Sequence, residues 1–95
     1  MDNSQGLVDQ YAKRIKQLAA KHQMGNDLTE IKSEVDNVLA EAKQHISIWV
    51  NGTPEENWSS LGGKLRFEGE LSSSTKWKEV MMYAGEKIKN DYPSQ

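Results

Sequence analysis

Lys64-Leu65-Arg66-Phe67-Glu68-Gly69-Glu70-Leu71 alternates apolar and polar side chains, the period-two spacing of a half-buried strand. Ile46-Ser47-Ile48-Trp49-Val50 is β-branched and aromatic, which also suits a strand. A lone strand needs a partner, so the two readings are linked. If one segment is a strand, both are, and the fold is α+β with a two-stranded ribbon from 46–50 and 64–71. The second segment tips the balance the other way. Trp49 continues an apolar stripe through Leu28, Ile31, Val35, Val38, Leu39, Ala42 and Ile46, which is helical spacing. The expected fold is therefore mainly α. An antiparallel helical hairpin comes first, then a short helix, an extended or irregular stretch, and a C-terminal helix that closes the core.

The hairpin is the best-marked part of the chain. Leu7, Val8, Tyr11, Ala12, Ile15, Leu18, Ala19 and His22 recur at helical spacing over 5–24. Gly25 suits the left-handed residue that ends a helix. Asp27 then fits an N-cap with Glu30 three residues on, a capping-box spacing. A linker this short makes the two helices antiparallel neighbours. Facing positions should sum to about 53, counted from the turn. Each helix has one apolar stripe, so the hairpin cannot bury both alone.

Thr53-Pro54-Glu55-Glu56 has the form of a helix start: a capping hydroxyl, proline in the first turn, then two carboxylates. A short helix over 54–61 is predicted, ended by Gly62-Gly63. Ser72-Ser73-Ser74-Thr75 is a polar break that supplies the cap of a last helix over 75–90. Trp77, Val80, Met81, Ala84 and Ile88 form its core-facing side.

Composition bounds the class. The 95 residues make one domain. The hydrophobic fraction of 36% is low for a globular chain, which leans towards a homodimer or another partner. Net charge is −2, and each half carries six basic and seven acidic residues. No half is built for a polyanion. With no cysteine, disulfide frameworks, thiolate metal sites and cysteine nucleophiles are excluded. No apolar run approaches a membrane span, and the N-terminus has neither region of a signal peptide. A cytoplasmic location is expected, with no membrane partner.

Nothing in the sequence assembles a catalytic or metal centre, so no enzyme activity, cofactor or metal is expected. His22 and His45 fall at opposite ends of the hairpin, roughly 20 Å apart at 1.5 Å per residue. Gly62-Gly63-Lys64 resembles part of a phosphate loop, but Trp58 and Leu65 stand where that motif needs glycine and a hydroxyl. Glu55, Glu56, Glu68 and Glu70 read as surface or capping carboxylates, and no nucleophile elbow occurs.

The aromatics carry what functional signal there is. All three tryptophans and Phe67 lie between positions 49 and 77. Trp49 and Trp77 continue apolar stripes and are expected to plug the open end of the hairpin. Trp58 sits among polar neighbours and is expected as an exposed anchor. Met82, Tyr83, Ile88 and Tyr92 could extend a second apolar surface. The reading is a small non-enzymatic protein-interaction module, a regulator, inhibitor or adaptor, that binds another protein through Trp58, Phe67, Leu65 and Tyr83. The alternative is a nucleic-acid-binding module using Lys13, Arg14, Lys16, Lys64 and Arg66, by charge plus stacking.

Overall fold

A computed structural model describes residues 3–45 and 54–91. They form four helices: α1 (Asn3–Gln23), α2 (Leu28–His45), α3 (Pro54–Leu71) and α4 (Thr75–Asp91). Ile46–Val50, Trp49, Thr53 and Tyr92 lie outside the described residues.

The first turn is built as the sequence predicts. Gly25 has φ 110°, the left-handed region that glycine enters without steric cost. Its N–H donates to the His22 carbonyl and that of Asn26 to the Lys21 carbonyl, both at 3.1 Å. These two bonds make a Schellman motif and satisfy carbonyls that the helix end leaves open. Asp27 then stands at the N-cap position, directly before Leu28. Side-chain pairs set the register of the hairpin. Arg14 reaches Glu41 and Tyr11 reaches His45, so facing numbers sum to 55 and 56. That lies close to the value expected from the turn.

The segment 64–71 is helical, so the ribbon alternative fails on that side. The short helix ending at Gly62-Gly63 is also corrected, because α3 continues to Leu71. Trp58, Leu61 and Leu65 are buried, at spacings of three and four that run straight through the glycines. Gly62 and Gly69 lie seven residues apart on the side of α3 that meets α4. A Cβ on Gly62 would stand 2.8 Å from Ile88 Cγ2, and one on Gly69 would stand 3.1 Å from Met81 Cβ. Across the seam, a Cβ on Gly85 would strike the Arg66 stem. The glycines therefore let the two backbones approach closely. The helix-propensity cost of about 1 kcal/mol each is offset by that packing.

The α3–α4 contacts run in opposite directions along the chain, with pairs summing to about 150. By contrast, Asp9 pairs with Lys64 and Lys16 with Glu68, numbers that rise together, so α1 and α3 are parallel. The result is an up-down-up-down bundle. Helix α4 packs against α1, α2 and α3, while α2 and α3 approach each other least. It begins on a side-chain cap, because Ser74 Oγ accepts the Trp77 backbone N–H at 3.2 Å.

The core joins Val8, Ile15 and Ala19 of α1, Ile31, Val35 and Leu39 of α2, Trp58, Leu61 and Leu65 of α3, and Val80, Met81, Ala84 and Ile88 of α4. Trp58 is 1% exposed, which corrects its reading as an exposed anchor. It belongs to the same buried cluster as Leu39 of α2, and with Leu39 and Ala40 it lines a cleft between α2, α3 and α4. The expected role of Trp77 also changes. Trp77, like Leu28, packs on the edge of the core, on the side of the α1–α2 turn, where Glu79 of the same helix reaches His22. Trp77 thus lies towards the turn and not at the open end of the hairpin, and Trp49 lies outside the described residues.

Candidate functional site

Once Trp58 and Leu65 are assigned to the core, α3 still has two large apolar side chains on its other side. Phe67 is 58% exposed and Leu71 68%. At 100° per residue, Phe67 points about 160° away from Leu65 and within about 40° of Leu71. The pair is thus one turn apart on a single outward face. Gly63 lies on the same face one turn earlier, and a Cβ there would meet nothing within 4 Å. Unlike Gly62, it has no close approach within the chain to explain it. An isolated exposed apolar residue is ordinary. Two on adjacent turns, beside a notch left by an open glycine, make a small docking ridge.

Leu71 was missed by the sequence reading, which placed it in an extended segment. Its signal was the four-residue spacing from Phe67, visible only once the stretch is read as helix. Met24, at the end of α1, is the other large exposed apolar side chain among the described residues.

The structure does not bring Tyr83 to this ridge. Its hydroxyl donates to Asp36 Oδ1 at 2.7 Å, and Lys32 Nζ sits 5.1 Å from the ring centroid. Lys87 reaches the same carboxylate at 3.3 Å. Tyr83 is therefore committed to the α2–α4 seam. Ile88 is buried, and Met82 packs against Gly69. Met82, Tyr83 and Ile88 are thus engaged within the bundle, while Tyr92, the fourth residue of the expected second apolar surface, lies outside the described residues. The hydrogen bond to Asp36, followed by burial, pushes the Tyr83 pKa up to about 12, against about 10 for a free tyrosine. A raised folded-state value means that this contribution to stability is complete below about pH 10 and is lost as pH climbs towards 12. Titration of tyrosine absorbance near 295 nm should show a group ionising near pH 12, and Asp36→Asn should bring that group back towards the ordinary value. Identical curves for the two proteins would remove the Asp36 bond from the account.

The five basic residues of the nucleic-acid alternative do not form one surface. Arg14 pairs with Glu41 on the α1–α2 seam. Lys16 pairs with Glu68 at 2.8 Å and Lys64 with Asp9 at 3.5 Å, both on the α1–α3 seam. Arg66 lies 3.9 Å from Glu86 on the α3–α4 seam. Lys13 is exposed and lines a cleft with Gln10, Gln17 and Glu41. Four of the five are thus matched by carboxylates of this chain, which spreads the charge around the bundle. These pairs are half-exposed and screened by solvent, so they add little to stability.

The most connected polar group is at the open end of the hairpin. The Tyr11 hydroxyl lies 2.9 Å from His45 Nδ1 and 3.5 Å from Glu41 Oε2. The Arg14 guanidinium grips the Glu41 carboxylate with both terminal nitrogens and lies 5.6 Å from the Tyr11 ring centroid. The Arg14 hydrogen bond holds Glu41 below the usual carboxylate range, and burial with the Glu41 charge pushes Tyr11 up. A protonated tyrosine beside an ionised, arginine-bound glutamate is a latch between α1 and α2. His22 does similar work at the other end, with Nδ1 3.0 Å from the Asn26 carbonyl and Nε2 3.2 Å from Glu79. The two histidines hold opposite ends of the bundle, as their spacing predicts. Among the described residues, no three metal-binding side chains come together, and no helix is long and apolar enough to cross a membrane.

Compared with known proteins, the chain matches no family model and has no significant match among curated proteins or solved structures.

Proposed function

We propose that this chain is a small non-enzymatic protein-interaction module, a cytoplasmic regulator, inhibitor or adaptor, that docks through the outer face of α3. The observation that carries the reading is the exposed pair Phe67 and Leu71 on one face of a helix whose other apolar side chains are buried. A few residues carry most of the binding energy at protein interfaces, and aromatic side chains, Phe among them, are enriched there. Open space at Gly63 would let a partner's backbone come close to the helix. The partner is another protein or a second copy of this chain.

The test separates docking from folding. Phe67→Ala with Leu71→Ala should leave thermal and denaturant unfolding within about 0.5 kcal/mol of the parent, as surface substitutions usually do. A photocrosslinking amino acid placed at 67 or 71 in cells should give a discrete adduct, and the same group at Ser33 on α2 should not. Sedimentation of the purified chain at rising concentration tells a second copy from a different protein. Adducts at Ser33 as abundant as those at 67, or none at 67 and 71, would sink the proposal.

A further inference from the structure

We draw no further inference here: the strongest candidate, the cleft of about 150 Å³ between α2, α3 and α4 rimmed by Lys43 and Lys87, has as its floor Trp58 and Leu39, which are already closed to solvent, so nothing in the structure shows what it would hold.

Discussion

Trp58→Ala is expected to destabilise the fold by about 3–5 kcal/mol, the usual cost of truncating a buried aromatic to alanine. The side chain is essentially closed to solvent, and it is part of the core cluster built from all four helices. Truncation would leave a cavity the size of an indole among side chains that are themselves buried, Leu61 and Leu65 of the same helix included. Domains of this size have total stabilities of about 5–15 kcal/mol. The variant should therefore lose much of its cooperative transition, or be partly unfolded at growth temperature. Urea unfolding followed by circular dichroism gives the size of the loss directly. Trp58→Phe, which keeps a ring in the site, should recover a large part of it. If Trp58 were a surface anchor, its removal would move the midpoint by no more than about 0.5 kcal/mol. A shift that small would overturn its assignment to the core.

Trp58 also shows why the sequence misleads in this region. Its neighbours Asn57, Ser59 and Ser60 are polar, which suggests exposure. Helical phase says the opposite, because 58, 61 and 65 fall on one face. Helices α1, α2 and α4 are legible for the complementary reason. Each has a single apolar stripe and clear punctuation: Gly25 and Asp27 at the first turn, Ser74 before the last helix. Helix α3 has apolar residues on two faces, so Leu65, Phe67 and Leu71 mimic the alternation of a strand. Its glycines look like a stop, because local propensity disfavours them in a helix. What overrides that preference is packing against α4, a tertiary contact that no local pattern records. The ridge on α3 was half legible. Phe67 drew attention as an aromatic without a stripe, while Leu71 became visible as its companion only after the helix was established.

Gly62 and Gly63 are adjacent in sequence, and alanine at the two positions should act in opposite directions. At Gly63 the new methyl meets nothing within 4 Å. Alanine there gains helix propensity and reduces the freedom of the unfolded chain, so Gly63→Ala should stabilise by about 0.5–1 kcal/mol. At Gly62 the same gain is available, but the methyl would stand 2.8 Å from Ile88 Cγ2 and 3.3 Å from Ile88 Cβ. Isoleucine in a helix is held almost entirely in one χ1 rotamer, so that side chain cannot swing aside. The helices must part instead, at about 1–3 kcal/mol for overpacking. The propensity gain is common to both variants, so the difference between their urea midpoints isolates the cost of the contact at about 1–3 kcal/mol. A double-mutant cycle sharpens the point. Ile88→Ala removes the methyl that Gly62→Ala collides with, so the second change should cost less, or become favourable, in that background. Equal midpoints for the two single variants would mean that α3 and α4 can separate freely. The close approach at Gly62 and Gly85 would then no longer explain why a helix tolerates glycine there. If Gly63→Ala is more stable yet gives fewer crosslinks from a photocrosslinking residue at position 71, the open glycine is being kept for the partner at the expense of the fold.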